Sequence, residues 1–202
     1  MDYSTIFEND RNAFELPKWD ELPDIELYMD QVITLMNKYF GVLSSGEEPL
    51  LTSSMINNYV KNGIIPPPIK KRYSRTHLFR LIVICIMKSV LPINDIALLM
   101  DTMLKSQSEQ EVLDYFAESY SREFHKTLDL IHTDLTLHAE SPEHTDTQTL
   151  VSFSVMHAAA ISGGSKFFAK NALTLLKQNN LPEQDEAKQP KKTKNKSADA
   201  KE

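Results

Sequence analysis

The sequence predicts a mainly α-helical protein, in which a compact helical head with a small β wing precedes a C-terminal domain built on long helices. Three observations lead to this fold class. Apolar residues recur at three- and four-residue spacings through most of the chain, which is the period of an amphipathic helix. A proline run precedes a short basic segment that is compatible with a strand. The helical spacing is then maintained from Leu113 to Leu135.

Basic charge is concentrated in one part of an acidic chain. The net charge is −6, yet the window from Pro49 to Asn94 holds seven cationic residues and no acidic one, so the rest of the chain sums to −13. The seven cations are Lys61, Lys70, Lys71, Arg72, Arg75, Arg80 and Lys88. A basic surface on an acidic body favours a polyanionic partner, with nucleic acid the first candidate. The alternative is that this surface docks on residues 108–150 of the same chain.

The first predicted helix follows an extended arm. The single tryptophan, Trp19, lies between two prolines, and we expect its indole to anchor the arm. Asp24 is a suitable N-cap for a helix that ends near Phe40. The predicted apolar stripe of this helix is Ile25, Met29, Val32, Met36 and Tyr39. A loop is expected from Gly41 to Leu51.

A second helix is expected after Thr52, which can act with the two following serines as a cap. Its predicted buried face consists of Met55, Ile56, Tyr59 and Val60. Gly63 should end this helix in the left-handed conformation. The prolines at 66–68 then require an extended backbone, and residues 69–73 form the basic segment of the predicted wing.

Two more helices complete the predicted head. Ser74 is a suitable cap for the third, which is apolar nearly all round and should therefore be central. Its single cysteine, Cys85, excludes an internal disulfide framework and fits a reducing compartment. Pro92 suits the first turn of the fourth helix.

Two long helices should follow the head. The stripe of the first is Leu113, Phe116, Tyr120, Phe124, Leu128, Ile131 and Leu135. Ser141-Pro142 interrupts this pattern, and a last helix is predicted from Thr147 to Gln178. The sequence at 162–165, Ser-Gly-Gly-Ser, indicates either a break or a close helix crossing. After Leu181 no apolar period remains, which is typical of disorder.

The predicted organisation therefore has four parts. These are an N-terminal arm at 1–23, a DNA-binding head at 24–105, a helical dimerisation or effector domain at 106–180, and a disordered tail at 181–202.

The order of features in the basic window resembles the DNA-binding head of MerR-type regulators, which is a winged helix-turn-helix. In that family a recognition helix ends with a Tyr, a spacer and a Gly, followed by two aliphatic residues, prolines and a basic wing. The matching positions are Tyr59, Gly63, Ile64, Ile65, Pro66, Lys71, Tyr73 and Ser74. The resemblance covers about residues 52–104. It implies a regulator that binds double-stranded DNA as a homodimer, with a possible small-molecule effector.

The expected DNA contacts combine this resemblance with the chemistry of the side chains. Small polar residues suit the approach of a helix to base edges, asparagine can pair with adenine in the major groove, and wing cations can hold the phosphate backbone. The expected contact residues are Thr52, Ser53, Ser54, Asn57, Asn58, Tyr59, Lys61, Lys70, Lys71, Arg72, Tyr73 and Arg75.

The chain departs from the MerR pattern at two neighbouring positions. The related heads usually carry an arginine and an aromatic residue where this chain has Asn57 and Asn58. These departures and the acidic net charge favour an alternative hypothesis, a non-enzymatic protein-interaction module that keeps the fold without binding DNA.

A second resemblance covers the arm, the first helix and the block from Leu51 to Met100. These segments are similar to an uncharacterised bacterial family, domain of unknown function number eighteen-thirty-six, which carries the MerR-like head. That resemblance supplies no activity.

No pattern of catalytic or metal-binding residues accompanies these features. His125, His132 and His138 are spaced seven and six residues apart, whereas helical metal ligands prefer spacings of three or four. We therefore expect no enzyme activity, no catalytic residues, no metal and no cofactor. The acidic, polar first residues resemble no signal peptide, and a cytoplasmic location is expected.

Overall fold

The computed structural model describes residues 15–41, 49–139 and 146–179. Within these residues the chain forms six α-helices, one short 3₁₀ turn and no strand, so the mainly α class is confirmed. The helices are α1 (Met29–Phe40), α2 (Ser53–Lys61), α3 (Arg75–Met87), α4 (Ile93–Met103), α5 (Glu109–Ala139) and α6 (Thr147–Asn179). The predicted tail, the Ser141-Pro142 interruption and most of the predicted 41–51 loop lie outside the described residues.

Helix α3 is the centre of the main core, as its composition predicted. Nine of its 13 residues are buried, because apolar side chains occupy every face. Its neighbours include α4 and α5, and the Phe79 ring meets the edge of Trp19 with centroids 6.5 Å apart. Cys85 is 4% exposed, and burial raises the pKa of its thiol to about 12. This cysteine is therefore a core residue and an unreactive thiol.

Helix α1 begins four residues later than the sequence predicted. The backbone N–H of Leu27 donates to the Tyr73 carbonyl at 2.9 Å, and the Tyr73 N–H donates to the Leu27 carbonyl at 2.8 Å. This antiparallel pairing holds residue 27 extended, so Asp24 caps no helix and Ile25 remains 66% exposed. The predicted cap and first helical turn were wrong because a partner distant in sequence overrides the local pattern.

Both ends of α2 follow their sequence signals. The Thr52 hydroxyl oxygen accepts the N–H of Met55 at 3.2 Å, which satisfies one of the otherwise unpaired amides of the first turn. Gly63 has a φ of +69°, and the following N–H of Ile64 donates to the Tyr59 carbonyl at 2.9 Å. The predicted cap and the left-handed glycine are confirmed.

The basic segment after the prolines forms a tight turn and makes no strand. Isolated bridges join Ile69 to Arg72 and Leu27 to Tyr73. The strand-compatible pattern at 69–73 therefore forms two single pairings, one within the turn and one with Leu27, between the arm and α1.

The long helices differ from their prediction in one respect. Helix α6 continues through residues 162–165, and a Cβ added at Gly163 or Gly164 meets no atom within 4 Å. Within the described chain these glycines mark neither a break nor a close helix crossing. Leu150 of α6 packs in a small core with Ile131 and Leu135 of α5. None of the described helices combines the length and the apolar character that a bilayer span requires.

The arm is fastened to α5 and α3, as expected for a segment anchored by tryptophan. The Trp19 backbone N–H donates to Asp114 at 2.8 Å, and the Leu16 N–H donates to the Ser121 hydroxyl at 3.3 Å. Leu16 and Leu22 are both buried. The arm thus contributes Leu16 and Leu22 to the core, and Trp19 contacts the first turns of α3 through Phe79.

We expect Gly63→Ala to lower the free energy of unfolding by about 1–2 kcal/mol, because a Cβ is disfavoured in the left-handed region. The site has open space around it, so the cost comes from the backbone. Gly41→Ala is the matched control, since Gly41 also has open space but a φ of −55°. Urea unfolding measures both; equal stabilities for the two variants would contradict the assignment.

Candidate nucleic-acid interface

Five of the residues predicted to contact DNA share one exposed face of α2. Ser53, Ser54, Asn57, Asn58 and Lys61 are all exposed, and their spacing places them on one side of a helix. The opposite side is anchored by Ile56, which is fully buried. The exposed face is polar, carries no acidic side chain and begins at a helix N-terminus. Hydrogen-bond donors and acceptors are therefore directed outward from a rigid support.

Thr52 and Tyr59 belong to the framework of this helix. Thr52 is half-buried and caps the first turn. Tyr59 is 9% exposed, and burial raises the pKa of its hydroxyl, with a smaller contribution from Cys85. The structure thus places these two predicted contact residues where they orient the exposed face.

Residues 69–72, which we call the basic turn, carry backbone strain at their tip. The Arg72 N–H donates to the Ile69 carbonyl at 2.9 Å, while Lys70 and Lys71 have φ values of +50° and +64°. Positive φ at both central positions is the signature of a type I′ turn, which strongly prefers asparagine and glycine. Each lysine costs about 1–2 kcal/mol of backbone energy there. Both side chains are exposed.

The guanidinium of Arg72 is held by Tyr28. Its Cζ lies 5.3 Å from the Tyr28 ring centroid, and its Nη2 donates to the Tyr28 hydroxyl at 3.3 Å. Tyr28 is 49% exposed, so the pair lies at the surface next to the two lysines. Sequence reasoning missed Tyr28 because it assigned the residue to the interior of a helix.

Tyr73 lies beneath the basic turn and is 3% exposed. Besides its pairing with Leu27, its ring meets the edge of the His77 imidazole, with centroids 5.4 Å apart. Burial raises the pKa of the Tyr73 hydroxyl. Tyr73 is therefore a core residue, and the contact with the DNA backbone expected from the sequence stays a prediction.

His77, in the first turn of α3, contacts the Tyr73 ring. The sequence predictions did not include this residue. Its Nδ1 accepts the backbone N–H of Ser74 at 3.0 Å. An amide N–H can only donate, so the neutral ring carries its proton on Nε2. That nitrogen is buried and makes no hydrogen bond of ordinary geometry. Burial lowers the pKa of His77, an effect opposed by the carbonyls of Pro67 and Pro66 and more weakly by Glu109 and Glu26.

Three cations of the basic window serve the fold. Arg75 donates to the Leu22 carbonyl at 2.9 Å, and its Cζ lies 5.5 Å from the Trp19 ring centroid. Arg80 donates to the Ile64 carbonyl at 3.1 Å and pairs with Asp101 at 3.3 Å. Lys88 donates to the Leu50 carbonyl. Arg75, one of the predicted contact residues, is therefore already engaged in holding the arm.

The other four cations face outward. Lys61, Lys70, Lys71 and Arg72 are exposed, and none forms an ion pair with a described residue. Across the described parts of 108–150, no acidic side chain pairs with any of the seven cations, so the alternative of intramolecular docking is not observed. The window divides into an inner set that supports the core and an outer set that is available to an anion.

Clusters of potential metal ligands were sought in the described ranges. Those ranges contain no group of three or more histidine, cysteine, aspartate or glutamate residues that could hold a metal ion. The surface that remains is a polar helix face together with a strained basic turn.

Comparisons with known proteins add a family. The family model described as a domain of unknown function, DUF1836, matches residues 17–123, which is more than half of the 202 residues. The match includes the arm, the head and the first half of α5. No curated protein and no solved structure matches the chain.

We expect acidification to destabilise the protein through His77. Its folded pKa lies below the ordinary value of 6.5, so the unfolded state binds more protons between these two values, and stability is lost as pH falls below about 6.5. Protonation also places a proton on Nδ1, where the ring accepts the Ser74 amide.

His77→Gln is the matched variant for this prediction, because glutamine at the third helical position keeps an acceptor for the capping residue and does not titrate. Urea unfolding of both proteins between pH 7 and pH 5 should give a steeper loss for the wild type. Parallel pH profiles would show that His77 contributes nothing to the acid sensitivity.

Proposed function

The chain belongs to the DUF1836 family, a domain of unknown function, and we propose that it is a MerR-like transcriptional regulator that binds duplex DNA as a dimer. In this proposal α2 enters the major groove and the basic turn, acting as the wing, holds the neighbouring phosphate backbone. The observation that carries the proposal is the pair of strained lysines at the tip of the turn.

The strain argues for function because folding alone would select other residues. Asparagine and glycine adopt the conformation of Lys70 and Lys71 at little cost, whereas two adjacent lysines sacrifice stability and repel each other. A site that presents two positive charges to a polyanion recovers that cost on binding. Arg72, oriented by Tyr28, extends the same surface with a planar donor that suits phosphate.

The face of α2 has the chemistry that a groove-reading helix requires. Ser53 and Ser54 are small and lie at the helix N-terminus, where backbone amides and the helix dipole favour a phosphate. Asn57 and Asn58 can each pair with an adenine edge, and Lys61 can reach a guanine or a phosphate. These side chains are exposed, while the opposite face is locked in the core.

The two parts are close enough to engage one stretch of duplex. The chain from Lys61 to Lys70 advances nine residues, which limits their separation to about 30 Å even when fully extended. One turn of B-DNA spans about 34 Å. A helix in the groove and a turn on the flanking phosphates are therefore geometrically compatible.

The alternative function is a protein-interaction module built on the same fold. The observation that favours it is the pair Asn57 and Asn58, where MerR-type heads usually place an arginine and an aromatic residue. An acidic protein would then be the partner of the basic turn. The alternative predicts no binding to duplex DNA even at low salt.

Lys70→Asn/Lys71→Gly tests the proposal without unfolding the protein. The double variant supplies the residues that a type I′ turn prefers. We expect its free energy of unfolding to rise by about 2 kcal/mol, because the strain of two lysines is relieved and the extra chain entropy that glycine loses on folding offsets only part of the gain. Its affinity for pooled genomic duplex fragments should fall, and the slope of log affinity against log salt should become shallower by about two units, close to 0.9 for each lost cation.

The control for charge is Lys38→Gln/Lys126→Gln, which removes two exposed lysines outside the proposed interface. Fluorescence anisotropy over a salt series compares the three proteins. The control should retain the wild-type slope. Unchanged affinity in the stabilised Lys70/Lys71 variant, or no duplex binding by the wild type at low salt, would reject the DNA-binding role.

A further inference from the structure

An apolar cavity of about 220 Å³ lies where the last helix, α6, meets the head. The seven described residues that line it all have apolar side chains. On the head side these are Met87 at the end of α3, Leu91 in the turn that follows, and Leu99 of α4. The cavity is therefore bounded by both parts of the protein and is separate from the exposed face of α2 and from the basic turn.

Helix α6 leaves this space open because two of the residues it presents there are alanines. Ala169 packs against the main core, and Ala172 is exposed, so the cavity opens to solvent beside it. The next residue, Leu173, is 6% exposed and belongs to the main core. Leu173 thus makes contact with the core, while a longer side chain at either alanine would fill the space next to it.

Two polar contacts fix α6 on either side of the cavity. The Lys166 Nζ donates to the Ser89 carbonyl at 3.3 Å, and the Lys177 Nζ pairs with Asp95 at 2.6 Å. Lys177 follows Lys166 by 11 residues, which is about 16 Å along the helix axis, and both alanines lie between them. Because the helix is held at both ends of the cavity, the space is preformed, as ligand sites commonly are.

We propose that the cavity binds a small uncharged apolar molecule, and that the bound molecule fastens α6 to the head. The volume selects the size: an apolar cavity of about 150 Å³ stays dry and holds benzene, so this larger one accommodates a substituted single ring. The lining selects the chemistry, because none of the lining side chains can pair with a charge, and an unpaired charge is costly to bury. A peptide segment is excluded as the occupant, since its backbone amides would find no polar partner there.

The position of the cavity explains how occupancy acts on the protein. A molecule there contacts α3, α4 and α6 at once and supplies the dispersion contacts that the cavity walls otherwise lack. These contacts exist only while α6 stays packed on the head, so the ligand stabilises the packed state by mass action. The presence of an apolar molecule is thereby linked to the attachment of the last helix.

Para-xylene is the probe for this site, and para-toluate, a ring of similar shape that carries a carboxylate, is its control. Titration of the full chain with para-xylene should give saturable shifts of the methyl resonances of Met87, Leu91, Leu99 and Leu173 in proton–carbon NMR spectra. The Tm should rise by about 2 °C when para-xylene is at three times its Kd. Para-toluate should change neither measurement.

Ala169→Met tests the location, because the flexible methionine side chain fills the cavity from within. This variant should remain folded and lose the binding of para-xylene. Ala172→Met, a change at an exposed position, tests the same point if the first variant packs poorly. Ala159→Met is the matched control, since Ala159 is exposed on α6 and does not line the cavity. It should bind para-xylene as the wild type does, and in both proteins the probe should slow amide exchange in residues 166–177.

Three results would overturn the proposal: no binding of para-xylene to the wild type, equal binding of para-toluate, or unchanged binding by both cavity-filling variants. Binding that appears only at dilutions where the chain is monomeric would assign the cavity to a second copy of the chain, and it would overturn the proposal as well. None of these measurements involves DNA, so their outcome is independent of the proposed function.

Discussion

The burial of α3 is the constraint on which the rest of the structure depends. A helix covered on nearly every side has its first turn covered as well, and the backbone groups that precede it must find partners within the protein. The Ser74 amide binds His77, and the residue before it, Tyr73, pairs in both directions with Leu27. These bonds fix where the chain enters α3, and the basic turn is the segment immediately before that entry.

The same constraint explains why the basic window has two kinds of cation. Arg75 and Arg80 extend from α3 and donate to carbonyl groups of the arm and of the loop after α2. These carbonyls lie beside the core but outside the helices, so they have no helical N–H to accept from. The lysines of the turn lie outside this network. Their strained backbone persists because the Arg72–Ile69 hydrogen bond closes the turn and the pairing of Tyr73 with Leu27 fixes the residue that follows it. The result is a pair of charges on a constrained backbone.

Local signals in the sequence predicted most elements, since capping residues and helical periods depend on neighbours a few positions away. Thr52 and Gly63 could be assigned to the ends of α2 for that reason. The late start of α1, the Tyr28–Arg72 pair and the inward direction of Arg75 could not, because each depends on a partner more than 40 residues away in the chain. The four outward-facing cations can be distinguished only once the long-range contacts of Arg75, Arg80 and Lys88 are known. The continuity of α6 through two glycines also had no local signal in the sequence.

Hydrogen exchange of the full chain, measured by mass spectrometry with and without duplex fragments at low salt, locates any DNA contact along the chain. Backbone amides that contact DNA or are covered by it exchange more slowly. We expect protection confined to residues 52–62 and 69–73, with α6 unchanged by the DNA. Protection located on α5 or α6 with none in those two segments, or no change anywhere, would contradict it.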